Sequence, residues 1–137
     1  MARQASRARR LVISATVAAQ APATALSFEA GQVVTTETAH TFADGVACRV
    51  PDSGVVAAIS AGAARVLTVS EDDAAQAMRI LFATTHNVPE PAGALALAGL
   101  LAERPLMAGK RVAVIQTGGN ADTGLLLQVL AGQTPDA

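Results

Sequence analysis

At 137 residues the chain is long enough for one small domain, and 51 % of it is hydrophobic. It has no Trp, no Tyr and three Phe, so its core has to be assembled from Val, Leu, Ile and Ala. The net charge of −1 and the lack of aromatic stacking platforms argue against a nucleic-acid partner. A single cysteine, Cys48, leaves no disulfide framework and no Cys-based metal site, which suits a reducing, cytoplasmic setting with Cys48 as a small buried hydrophobe.

Residues 1–10 carry Arg3, Arg7, Arg9 and Arg10 and read as a basic, disordered tail. No apolar run is long enough to span a membrane. The basic start, the apolar Leu11–Ala19 run and the small residues Ala21-Pro22-Ala23 imitate a signal peptide, but Ser14 and Thr16 interrupt the run. Its β-branched content reads equally well as a strand over 11–17.

Ala18–Phe28 is alanine-rich and reads as a helix that tolerates Pro22 only in its first turn and stops at Gly31. Residues 32–50 form an extended connection with a turn at Asp44-Gly45. Asp52 or Ser53 caps a helix from about Val55 to Ala63, and Arg65–Val69 is a strand. Ser70, with Asp73 three residues on, opens a helix whose stripe Ala74, Ala77, Met78, Leu81, Phe82 has helical spacing and belongs to the core.

His86-Asn87-Val88-Pro89-Glu90-Pro91 breaks that pattern. Pro91 then starts a helix from about Ala92 to Glu103, whose small residues Gly93, Ala94, Ala96, Ala98 and Gly99 permit close packing on a sheet. The run Arg111–Ile115 reads as a buried strand that stops at Gln116-Thr117-Gly118-Gly119-Asn120. A last helix spans Asp122–Leu130, and a polar tail follows. Strands alternating with helices argue for an α/β fold with a partial parallel sheet of three or four strands and flanking helices, too small to cover its own edges.

Thr117 is the leading site candidate, because ligands of open α/β sheets sit outside the carboxyl ends of strands and Gly118-Gly119 lets backbone approach a ligand closely. Taken alone, the same residues describe an ordinary turn, and their spacing matches neither a Walker A loop nor a dinucleotide fingerprint. Glu90 sits in a Pro-Glu-Pro break, where a carboxylate is either solvated or aimed by two rigid neighbours. His86, Asn87 and His40 lack a second ligand at metal spacing, and Asp44 shapes its turn. Lys110, the chain's single lysine, lies at the wrong end of the strand from Thr117, beside Arg111 in a polar lead-in.

In order along the chain stand Thr41-Phe42-Ala43-Asp44-Gly45-Val46, Gly62–Val66 leading into Val69-Ser70-Glu71-Asp72, His86–Ala94, and Lys110–Asn120. This ordered set resembles the carboxyl-terminal third of the serine/threonine dehydratases, pyridoxal-phosphate enzymes of fold type II with serine racemases as relatives. The likeness runs from about Leu11 to Gly132, and residues 133–137 are tail. It implies the carboxyl-terminal part of the large domain of the tryptophan synthase β-like fold. It also implies a family reaction in which water is eliminated from threonine or serine to give a 2-oxo acid and ammonia.

The resemblance places Thr117 where the family bonds the cofactor's pyridine nitrogen, Glu90 near the cofactor ring, and Gly118 and Gly119 where backbone approaches it. Thr117 stands where a serine is more usual and keeps the hydroxyl. Pro89 and Pro91 stiffen a segment that often reads Ala and Gly. The family's Schiff-base lysine, phosphate loop and small domain have no counterpart in these 137 residues. Three expectations follow: a truncated dehydratase inactive alone, one half of a split enzyme that pairs with its missing half, or a non-catalytic α/β module binding an anion at the Thr117 loop. An exposed cut surface implies pairing or aggregation, including homo-oligomers.

Overall fold

The computed structural model describes residues 11–137; the basic segment 1–10 lies outside the described residues. Two strands, β1 (Ser14–Ala18) and β2 (Arg65–Val69), pair in parallel with Ser14 opposite Arg65 and Ala18 opposite Val69. Within the apolar run Leu11–Ala19, the strand expected over 11–17 is Ser14–Ala18, and the exposed Leu11, Val12 and Ile13 precede it. The crossover between the strands contains α1 (Ala23–Ala30), a 3-10 turn at Asp44–Val46 and α2 (Ser53–Gly62). After β2 come α3 (Glu71–Thr85), α4 (Pro91–Ala102), the short α5 (Arg104–Met107) and α6 (Thr123–Leu130).

Local chemistry sets most of these limits. Pro22 stands just outside α1 as its N-cap, so the helix starts five residues later than alanine content suggests. Asp52 caps α2, its side chain accepting from Val55 N. Ser70 and Asp73 form a full capping box at α3, and three acidic residues occupy that first turn. α3 stops at His86, which takes a left-handed conformation with φ of 57° and passes the chain into the Pro-Glu-Pro break. Pro91 opens α4 as expected.

α4 is the central element. It packs on α3, β1, β2 and the 3-10 turn. Gly99 makes this possible: a Cβ there would lie 2.5 Å from Thr16 Oγ1 and 3.4 Å from Leu67 Cδ1. The core gathers Phe42, Val69, Ala74, Ala77, Met78, Ala94, Leu95, Ala98 and Val129, with Leu81 packed against it. Phe82 is only half-buried. The polar tail is not loose: Pro135 is buried, Thr134 Oγ1 donates to Asp72, and the Arg79 guanidinium reaches the carbonyls of Val129 and Gln133.

One expectation is corrected. The run 111–117 is no strand, and the sheet of the described residues has two strands rather than three or four. The cause is the absence of a neighbour. β-structure is a ladder between chains, and among the described residues no backbone hydrogen bond joins any residue of 111–117 to another. Ile115 is 74 % exposed and Val112 47 %, whereas Val114 and Gln116 are half-buried. Among the described residues no helix is long and apolar enough to cross a membrane.

Candidate functional site

Three separated segments meet at the amino end of α4. The first is the 3-10 turn, fixed from behind by Glu71. Its carboxylate accepts from Thr41 Oγ1 at 2.8 Å and from Phe42 N at 3.2 Å, and Thr41 Oγ1 accepts from Ala43 N at 3.1 Å. Thr41, Phe42 and Ala43 are all buried, so the turn that follows is firmly placed. A Cβ on Gly45 would stand 2.8 Å from that of Ala92 and 3.8 Å from Glu90 Oε1.

The second segment is the Pro-Glu-Pro break. Pro89 and Pro91 are buried and Glu90, between them, is half-buried. The third is the loop 117–120. Glu90 N donates to Gly118 O at 3.4 Å, and Asn120 N donates to Glu90 Oε2 at 3.4 Å. Gly118 has φ of +74°, and a Cβ on it would fall on the Glu90 carboxylate. Gly119 runs beside Val88 O, 2.9 Å from where its Cβ would be.

Thr117, Gly118, Gly119 and Glu90 therefore come together, with Glu90 meeting the loop at Gly118 and Asn120. Their division of labour is informative. The Glu90 carboxylate faces the backbone of Gly118 and Asn120 and braces the loop. Thr117 is exposed, and its hydroxyl makes no hydrogen bond among the described residues, which leaves it free to donate to or accept from a ligand. Asn120 contributes a backbone N–H, a role that residue type alone could not signal. Glu71 was equally illegible as a support, because its partners lie about thirty positions upstream.

The remaining candidates lie elsewhere. His86 and Asn87 are exposed at the end of α3, and the Asn87 amide is occupied with the Thr85 carbonyl. Exposed His40 borders a separate cleft with Gln20, Glu71, Asp72 and the last four residues. Asp44 opens the 3-10 turn. Lys110 is exposed, its N–H donating to Met107 O, and Cys48 is half-buried. Among the described residues no group of three His, Cys, Asp or Glu could hold a metal ion.

Comparison with known proteins gives this geometry a context. Residues 2–118 match the family model described as pyridoxal-phosphate dependent enzyme, a span that includes the basic amino-terminal stretch and ends inside the loop at Gly118. An L-threo-3-hydroxyaspartate ammonia-lyase from a Pseudomonas species is 33 % identical over 106 residues, covering 77 % of this chain and 33 % of that one. The biosynthetic L-threonine dehydratase of Lactococcus lactis is 31 % identical over 103 residues, 75 % of this chain and 25 % of its own. In the solved structure of the processed form of threonine deaminase isoform 2 from Solanum lycopersicum, the TM-score is 0.81 at 28 % identity, over 91 % of this chain and 38 % of that one. The chain thus spans about a third of the length of the curated relatives it matches. The α/β architecture with a small parallel sheet is that of part of a fold-type-II enzyme.

Proposed function

Because the chain belongs to the pyridoxal-phosphate dependent enzyme family, we propose that it supplies the ring-facing part of an ammonia-lyase site for a small β-hydroxy amino acid, threonine or serine. The observation that carries this reading is the exposed, unengaged Thr117 hydroxyl at the head of a glycine loop braced by Glu90. 3-Hydroxyaspartate, named for one relative, belongs to the same substrate class.

The residues present fit one end of the cofactor. A pyridine nitrogen needs a single partner, and Thr117 Oγ1 is available to donate to it. A neutral hydroxyl leaves that nitrogen unprotonated, and Gly118 and Gly119 let the loop backbone lie close against the Glu90 carboxylate and the Val88 carbonyl. When bound, pyridoxal phosphate supplies the electron sink that lets a substrate lose the proton beside its amine and then its β-hydroxyl as water. The part of this chain is to orient the ring through Thr117 and to hold the loop through Glu90.

Lys110 is not the covalent anchor. Thr117 lies seven positions further on, about 23 Å of extended chain, and Lys110 is exposed to solvent. The anchoring lysine and the phosphate site belong to residues beyond this sequence, on the same polypeptide or another, and the 137 residues alone carry no turnover. A cytoplasmic, reducing setting accords with the lone, half-buried Cys48.

Titration of the purified chain with pyridoxal phosphate tests this. Binding is expected to be weak and not fixed by borohydride. Thr117→Val should weaken it and Thr117→Ser should preserve it, while circular dichroism stays unchanged because Thr117 is exposed. Equal binding by Thr117→Val overturns the assignment. Release of ammonia from threonine, serine or 3-hydroxyaspartate by the chain alone, at a rate that survives Thr117→Val, overturns the whole reading.

A further inference from the structure

Glu90 braces the ring-facing loop, and Glu90 is itself buttressed by the 3-10 turn Asp44–Val46. The backbone of Gly45 packs directly on the first turn of α4, because a Cβ there would stand 2.8 Å from that of Ala92 and 3.8 Å from Glu90 Oε1. No side chain of Gly45 cushions this contact. A small shift of the turn is therefore either passed to Ala92 or opened as a gap beside Glu90. We propose that Thr41 is the positioning residue of this arrangement: its hydroxyl sets the turn against α4 and thereby sets Glu90 and, through Glu90, the loop that carries Thr117.

The hydroxyl acts in two directions at once. It donates to Glu71 Oε2 at 2.8 Å, which ties the segment to the head of α3, and it accepts from Ala43 N at 3.1 Å. The second bond bends the backbone into the start of the turn, which Val46 N completes by donating to Ala43 O at 2.9 Å. One atom must be donor and acceptor together, a capacity that a hydroxyl has. Thr41 is 7 % exposed and Ala43 fully buried, so water is poorly placed to replace either bond. Packing alone would be served as well by valine, which has the same shape; what the hydroxyl adds is direction. Glu71, Thr41, Gly45 and Glu90 thus stand in series between α3 and the loop. Every contact of the series lies within the described residues, so it operates equally in the chain alone and within a longer polypeptide.

The cofactor arm of the test rests on the reading of Thr117 as the ring's partner, and the spectroscopic arm does not. In the full 137-residue chain the amide proton shift of Asn120 reports its bond to Glu90. A variant that merely lowers stability leaves that native-state signal in place. Thr41→Val is expected to move the amide signals of Gly118, Gly119 and Asn120. It should also weaken pyridoxal phosphate binding about fivefold, the weight of one hydrogen bond. Thr41→Ser keeps the hydroxyl and should restore both. Gly45→Ala leaves Thr41 and Glu71 paired and pushes on Ala92 instead, so it should move the same amide signals; it decides the question if Thr41→Val does not fold. Unmoved loop signals in folded Thr41→Val, or Thr41→Ser behaving as the valine variant does, overturn the proposal. If Thr117→Val weakens binding and Thr41→Val does not, the proposal falls and the Thr117 reading stands. If the loop signals move with Thr41→Val while neither variant changes binding, the Thr117 reading falls and the positioning role stands.

Discussion

Gly93 lies directly beneath the Thr117 carbonyl, so close that a methyl group on its Cα would occupy the position of that oxygen. A helix and a loop are in backbone contact here with no side chain between them, and the loop is the one that presents the candidate hydroxyl.

Gly93→Ala sets two effects against each other. Alanine favours the helix by up to about 1 kcal/mol over glycine. Its methyl, however, meets backbone that cannot rotate away, and overpacking of that kind costs about 1–3 kcal/mol. The clash wins, so the variant is expected to be less stable in urea, with faster amide exchange at Asn120. A variant as stable as the parent would show that the loop moves freely over α4.

Glu71 provides a second test of how the site is supported. Glu71→Ala removes both hydrogen bonds that hold Thr41 and Phe42 and leaves their donors unsatisfied, at a cost of about 1–3 kcal/mol. Glu71→Gln keeps an oxygen for both donors. Its amide group would occupy the position of Glu71 Oε1, which is buried and without a partner. The glutamine variant is therefore expected to be much the milder of the two by urea denaturation, and a reversed order would exclude these bonds as the support of the turn.

At the head of α3, Asp73→Ala removes one arm of the capping box, the bonds that Asp73 Oδ2 accepts from Ser70 N and Ser70 Oγ, while Asp73 N still donates to Ser70 Oγ. The expected loss is about 0.5–1.5 kcal/mol, visible as a lower melting temperature. Restoring one arm with Asp73→Asn should recover part of it.

In the core, Met78→Ala is expected to cost about 2–5 kcal/mol, because Met78 is fully buried in the main apolar cluster. Leu127→Ala, on a side chain 63 % exposed, should change stability by less than about 0.5 kcal/mol. Similar losses at both positions would mean that α6 is packed otherwise than described.

Much of this was legible in the residues because the signals were local. Arg65–Val69 emerges as a strand with the bounds read from it, the Ser70/Asp73 cap sits where its spacing places it, and Pro91 begins α4. Glu90 and the loop 117–120 meet in space. What the sequence could not convey was pairing. Arg111–Ile115 has the composition of a buried strand, but a strand exists only beside another, and composition says nothing of the neighbour. Nor could it convey that the Glu90 carboxylate is occupied by Asn120 N, since a backbone donor leaves no mark on residue identity.

The parallel register of β1 and β2 also bears on how fast the molecule acquires its shape. Ser14 meets Arg65 only after α1, the 3-10 turn and α2 have been looped out between them, so the sheet closes against a large entropic cost. α3 and α4, in contrast, are joined by a short break and pack on each other. That hairpin can assemble from contacts near in sequence, on the faster side of the dependence of folding rate on contact order. The second half of the chain thus becomes the template on which the first half is laid, although the ribosome delivers the first half earlier.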